Sequence, residues 1–182
     1  NLGLSIDKDT ALNCKAADME IEFCDKCQLI YNKNVIIDSY DFTKSKAPWY
    51  ENLAWIEAYN KSLKILNDKY FIKNKKILEI GCGSGSFLKI LSEKSNICYG
   101  FDPTLDNTLN EKNLYLTKDF FPSTENQFED QSVDLIILRH VVEHYIEPRK
   151  FLTNVLKKVK KNNQLYVLIE VPNVEPLLLN QR

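Results

Sequence analysis

Apolar positions along the chain change their period twice, and each change marks a boundary. Residues 1 to 45 alternate short apolar pieces, Met19-Glu20-Ile21-Glu22-Phe23, Leu29-Ile30-Tyr31 and Val35-Ile36-Ile37, with turn formers such as Asn32-Lys33-Asn34. That alternation predicts short strands around a Cys-x-x-Cys turn. From Pro48 to Tyr70 the spacing lengthens: Trp49, Leu53, Ile56, Tyr59, Leu63, Leu66 and Tyr70 recur every three or four residues. An amphipathic helix fits that period, with Pro48 in its first turn. Beyond it, continuous apolar runs at Lys76-Ile77-Leu78-Glu79-Ile80, Ile97 to Phe101, Leu114 to Leu116, Val133 to Leu138 and Leu165 to Val171 read as buried strands. Helices are predicted from Phe87 and over Pro148 to Lys160. Buried strands alternating with helices predict an α/β fold, a doubly wound, mostly parallel sheet covered on both faces. The organisation expected is a small Cys-containing region at 1–45, a linking helix at 46–74 and a core at 75–182.

Composition narrows the function. The 182 residues carry 24 Lys plus Arg against 25 Asp plus Glu, a net charge of -1. Nucleic-acid binding through bulk positive charge is thereby excluded, because phosphate neutralisation needs a cationic excess. The run Lys157-Lys158-Val159-Lys160-Lys161 reads as the solvated end of the Pro148 helix, since Phe151, Leu152, Val155, Leu156 and Val159 occupy its other face. No apolar run approaches the ~20 residues that span a bilayer, and no signal-peptide pattern opens the chain. The expectation is a soluble, cytoplasmic protein without a membrane partner. The chain begins at Asn1 and ends at Leu178-Leu179-Asn180-Gln181-Arg182 with no closing element, so a fragment of a longer protein is expected. Five cysteines do not form a secreted disulfide pattern.

The chemistry concentrates at Glu79-Ile80-Gly81-Cys82-Gly83-Ser84-Gly85-Ser86, which follows a strand and opens a helix. Its spacing is G-x-G-x-G rather than the dinucleotide G-x-G-x-x-G, and it lacks the Gly-Lys-Ser/Thr of a phosphate-binding Walker loop. Glu79 would repel a pyrophosphate but attract a ligand carrying an ammonium and a sulfonium. S-adenosylmethionine is such a ligand. Asp102, followed by Pro103, ends the next strand and can take both ribose hydroxyls. Asp119-Phe120 follows the strand after that, with a carboxylate for the adenine amino group and a ring for the base. The set Glu79, Gly81/Gly83/Gly85, Asp102 and Asp119 resembles the class I S-adenosylmethionine-dependent methyltransferases. That resemblance covers about residues 50 to 175.

Val133 to Leu138 leads into Arg139-His140-Val141-Val142-Glu143-His144. At the carboxyl end of a strand in such a fold, Arg139 and His140 should lie beside the transferable methyl. His140 and His144, the only histidines, would share one face of a helix starting there. The same residues fit H-x-x-E-H, a zinc-peptidase pattern, but directly after an apolar strand the peptidase reading is set aside. No Asn-Pro-Pro-Tyr or Asp-Pro-Pro-Tyr stands here, which argues against methylation of nucleobase amino groups.

Cys24-Asp25-Lys26-Cys27 can offer two thiolates to a zinc ion, with only Cys14 nearby as a further ligand. A Cys-x-x-Cys region, an amphipathic helix and then a core with Arg-His-x-x-Glu-His resembles the bacterial C-methyltransferases of nucleotide-linked deoxysugars. The resemblance implies structural zinc in the intact protein, a nucleotide sugar as substrate, and Pro172-Asn173 after the fifth strand. It also implies a Glu-His pair whose histidine is the general base, which this sequence lacks before Arg182. His140 and His144 are thus the visible catalytic candidates, with Tyr40 and Asn173 as candidates for the substrate side. Tyr59, near the same segment, reads as a packed aromatic. Alternatives left open are an O- or N-methyltransferase of another small metabolite, and a domain that binds S-adenosylmethionine without catalysis.

Overall fold

The computed structural model describes residues 9, 12–13, 18, 20–34, 53–123 and 132–173. The chain divides into two units, Asn1–Ala47 and Pro48–Arg182. In the first, β1 (Ile21–Phe23) and β2 (Ile30–Asn32) form an antiparallel hairpin. Its turn carries the two cysteines and closes through the Gln28 N–H, which donates to the Cys24 carbonyl at 2.7 Å. One exposed face is laced by polar side chains: Lys33 Nζ reaches Glu22 at 2.7 Å and the Tyr31 hydroxyl donates to the same carboxylate at 2.8 Å. The expected strand at Val35 to Ile37 lies outside the described residues, as do Cys14, Tyr40 and Pro48.

The second unit is built on six strands. In chain order α1 (Leu53–Tyr70) leads to β3 (Lys76–Ile80), α2 (Ser86–Ser92), β4 (Ile97–Phe101), β5 (Leu109–Glu111), β6 (Leu114–Thr117), β7 (Ser132–Arg139), a single 3-10 turn at Val142–His144, α3 (Pro148–Lys158) and β8 (Lys160–Glu170). The sheet order is β5-β6-β4-β3-β7-β8, parallel except for the edge strand β5. The doubly wound architecture expected from the apolar runs is the one observed. Winding runs outward from β3 through β4 to β6, then returns to the other side of β3 at β7. The carboxyl ends of β3 and β7 therefore flank a topological switch point, where a ligand crevice opens in folds of this kind.

Alternating side chains divide the interior into two layers. On one face Leu63 and Leu66 of α1 and Phe87, Leu88 and Leu91 of α2 pack over Ile77, Cys98, Leu116, Leu135 and Ile137. On the other, Phe151 and Val155 of α3 cover Leu78, Ile80, Val133, Ile136 and Leu138. Burial of α3's stripe explains its period, and Pro148 starts it because a first-turn residue needs no amide hydrogen.

Three boundaries differ from the pattern reading. The Pro148 helix ends at Lys158, so Lys160 and Lys161 belong to β8, which begins five residues before Leu165. That polar stretch pairs because Ser132 and Val133 offer an open ladder to Lys160 and Lys161, and a register shift follows before Leu135 meets Tyr166. Asn162 closes the shift by donating to Asp134 Oδ1 at 2.7 Å. β5 carries too little apolar signal to be read from sequence; it forms because Asn113 adopts φ 65°, turning the chain into a hairpin with β6. Finally, the helix expected over His140 to His144 is one 3-10 turn from which His140 is excluded. Among the described residues no helix is long and apolar enough to cross a membrane.

Candidate active site

The glycine loop leaves β3 and is pinned at once to the neighbouring strand. The N–H groups of Gly81 and Cys82 donate to the Phe101 carbonyl at 2.8 and 3.3 Å. Gly81 has φ 72° and Gly85 φ 79°, both left-handed, where a side chain would strain the backbone. A Cβ at Gly81 would collide with Val141, and one at Gly85 would lie 2.6 Å from Leu116. The loop is thus a cradle that only glycine can line at these two positions.

Asp102, at the end of β4, fixes the loop's middle. Its Oδ2 accepts the Gly83 N–H at 2.7 Å, and Oδ1 accepts the Thr104 N–H and hydroxyl at 2.8 and 2.6 Å. Pro103 sits between, half-buried. Asp119 closes the next loop in the same manner, taking the Phe120 N–H at 2.7 Å and the Ser123 hydroxyl at 2.8 Å. The Phe120 ring is half exposed. Cys82 is buried, and burial pushes its thiol well above the ordinary range.

Glu79 is different. It is 2% exposed, and among the described residues its nearest cation is Arg139 at 4.0 Å and its Oε2 has no hydrogen-bond partner. Burial raises its carboxyl to about 8 despite Arg139, and the neighbouring Glu170 and Asp102 push the same way. Arg139 is itself held elsewhere. Its guanidinium lies 4.4 Å from the Tyr59 ring centre and 4.5 Å from that of Phe87, and Nε donates to Glu170 Oε2 at 3.0 Å. Cation–π contact with these two rings, whose centres lie 5.2 Å apart, helps accommodate a buried arginine. Tyr59 is accordingly a packed aromatic, as its spacing suggested.

Glu170, which the sequence reading passed over, organises this side of the crevice. Besides Arg139 it accepts the Ser62 hydroxyl at 3.0 Å, and its Oε1 lies 3.3 Å from His140 Nε2. Contact with His140 above all, and with Arg139, holds its carboxyl down at about 2. Its signal was register: Arg139 and Glu170 are paired positions at the ends of β7 and β8. His140 has φ 55°, donates its N–H to the Glu170 carbonyl at 2.8 Å, and places Nδ1 3.5 Å from Glu143. The two carboxylates, Glu143 more than Glu170, raise the imidazole to about 9. His140 is therefore an imidazolium at neutral pH. His144 is exposed on the 3-10 turn, and Asn173 is exposed three residues past β8. Cys24 and Cys27 flank their turn in the other unit. Among the described residues no three potential ligands cluster to hold a metal, so this turn supplies at most half of a tetrahedral site.

Residues 53–181, more than two thirds of the chain, match the family described as "Methyltransferase domain". The chain belongs to that family. Among curated relatives, the ribosomal RNA small subunit methyltransferase A of Mesomycoplasma hyopneumoniae strain 232 is 30% identical over 105 residues, covering 54% of this chain and 39% of that protein. Its counterpart from strain J is 27% identical over the same coverage. The chain thus spans about two fifths of the length of the curated relatives it matches. Among solved structures, the plantazolicin methyltransferase BpumL, in complex with a pentazolic desmethylPZN analog and SAH, superposes with a TM-score of 0.54 at 16% identity, over 69% of this chain and 50% of that one. At that identity the likeness concerns the fold.

Proposed function

We propose that this methyltransferase domain binds S-adenosylmethionine in the crevice above β3, β4 and β7 and methylates a small molecule. The observation that carries the reading is the juxtaposition, at one sheet edge, of a glycine-only cradle and a buried carboxylate oxygen that lacks a partner. An orphaned buried acceptor costs about 1 to 3 kcal/mol unless a ligand donor meets it. The cofactor's ammonium is such a donor. Glu79 would take the ammonium, Gly81, Cys82, Gly83 and Gly85 would line the cofactor's chain, Asp102 and Pro103 would face the ribose, and Asp119 and Phe120 the adenine.

When bound, the cofactor supplies an electrophilic methyl on a sulfonium. The chain's share of the work is alignment and exclusion of water, where proximity contributes about 7 to 11 kcal/mol. Arg139 stands behind Glu79 as a fixed positive charge, balanced by Glu170. His140, an imidazolium, cannot take a proton from the acceptor; it can donate a hydrogen bond to an acceptor oxygen as charge develops there. An acceptor with a carbonyl or anionic oxygen, such as a nucleotide-linked keto sugar, suits that role, with Asn173 and Tyr40 proposed on its side. His144 is proposed as a second contact at the rim. Half a zinc site at Cys24 and Cys27 stays within this proposal for the intact protein; metal analysis of that protein without zinc would remove it.

A second reading takes ribosomal RNA as acceptor, from the curated relatives' names. The balanced charge of this chain speaks for the small molecule. Calorimetric titration with S-adenosylhomocysteine tests the cofactor site, and binding with one equivalent is expected. No binding to folded protein would overturn the reading. Product NMR after incubation with nucleotide-linked keto sugars then decides whether carbon is methylated, and labelled methyl appearing only in RNA would favour the second reading.

A further inference from the structure

The role of Glu170 lies beyond cofactor recognition. Its side chain touches α1, β7 and the residue that follows β7 at once: Ser62 at 3.0 Å, Arg139 at 3.0 Å and His140 at 3.3 Å. Its own carbonyl holds the His140 N–H at 2.8 Å. His140 adopts a left-handed backbone that is strained for a non-glycine residue, and such strain persists only where the surroundings over-determine it. Both the side chain and the backbone of Glu170 contribute to that determination.

We propose that Glu170 is a positioning residue, which locks Arg139 and His140 into one charge-balanced cluster so that His140 meets the methyl acceptor as a cation. The groups facing His140 are Glu143 from the 3-10 turn and Glu170 from β8; behind Glu170 stand Arg139 of β7 and Ser62 of α1, and behind Arg139 stands Glu79 of β3. Two carboxylates serve two cations in this rim, Arg139 and His140, while Glu79 is neutralised by burial. Removing the charge of Glu170 takes away the carboxylate that contacts both His140 and Arg139. The proposed use of His140 toward an acceptor oxygen rests on the methyltransferase reading; the charge cluster itself does not.

The test uses the protein without any cofactor. Only two histidines are present, so their ring protons are resolved by NMR and assigned with His144→Asn. The His140 midpoint is expected near 9 in the wild type, and E170Q lowers it by about one unit, a tenfold loss of proton affinity. S62A, which removes one hydrogen bond to Glu170 but keeps its charge, leaves the midpoint within a few tenths of a unit. A wild-type midpoint near the ordinary value of about 6.5, or a folded E170Q protein with an unmoved midpoint, overturns the proposal. Should E170Q fail to fold, ring-nitrogen shifts of the wild type at about pH 8 decide: both nitrogens protonated supports it, and a single neutral tautomer overturns it. Failure of S-adenosylhomocysteine to bind would sink the proposed function and leave this titration standing, so the two outcomes separate.

Discussion

Asp102 and Glu79 close adjacent parallel strands, and both are buried, yet their surroundings are opposite. Both oxygens of Asp102 are met by donors from its own neighbourhood, at 2.6 to 2.8 Å. Glu79 has one oxygen at 4.0 Å from a guanidinium already committed to Glu170, and one with no partner. The first carboxylate shapes the loop before any ligand arrives. The second keeps an oxygen that a ligand donor can meet. A site can thus divide preorganisation and recognition between two acids of nearly the same burial.

Four measurements can break or sharpen that comparison. R139M should have the largest effect, because it leaves Glu170 without its buried counter-charge; a loss of about 3 to 5 kcal/mol in urea unfolding is expected. A neutral change would mean the cluster is open to water. D102A should cost about 2 kcal/mol, since the Gly83 and Thr104 amides lose their acceptor, and should also weaken S-adenosylhomocysteine binding in calorimetry. E79Q separates the two acids. Its unfolding free energy should stay within about 1 kcal/mol of the wild type, because the amide resembles the protonated carboxyl, while S-adenosylhomocysteine affinity falls about tenfold. Equal damage to stability and binding would erase the distinction drawn here.

The fourth measurement is the pH dependence of stability. Glu79 is raised to about 8 and His140 to about 9, so for both the folded state holds the proton more tightly than the unfolded chain. Their contribution is complete below the unfolded values of about 4.5 and 6.5 respectively and is lost as pH rises through 8 and 9. Unfolding midpoints of the free protein should fall between about pH 4.5 and 9, most steeply from about 6.5 to 8 where both groups contribute, and the slope should flatten in H140N. Glu170 acts in the other direction: held at about 2, its contribution is present above the ordinary carboxylate value and fades only in strong acid.

How much of this was legible in the chain depends on sequence distance. The glycine loop, Asp102 and the strand order's α/β class follow from local signals: apolar runs, turn chemistry and acids at strand ends. Glu170 and Ser62 do not, because a serine inside a helix and a glutamate inside an apolar strand carry no mark until β8 pairs with β7 and α1 docks on the sheet. Arg139 illustrates the middle case. Its position beside the crevice was readable, but the two rings that hold it come from Tyr59 and Phe87, far apart in sequence. Lys160 and Lys161 misled for a physical reason, since an edge ladder supplies partners for polar backbone that reads as the solvated end of the Pro148 helix.

Cys82 gives the glycine loop a clock of its own. Its sulfur lies beneath the loop, 3.8 Å from the Gly83 carbonyl and in the space that a side chain on Gly100 would need, and the buried thiol stays protonated. Alkylating reagents attack thiolates, so modification must wait for the loop to lift. The labelling rate of Cys82, timed against exposed Cys27, would count loop openings directly, and a ligand that seals the crevice would slow that count without touching the sulfur.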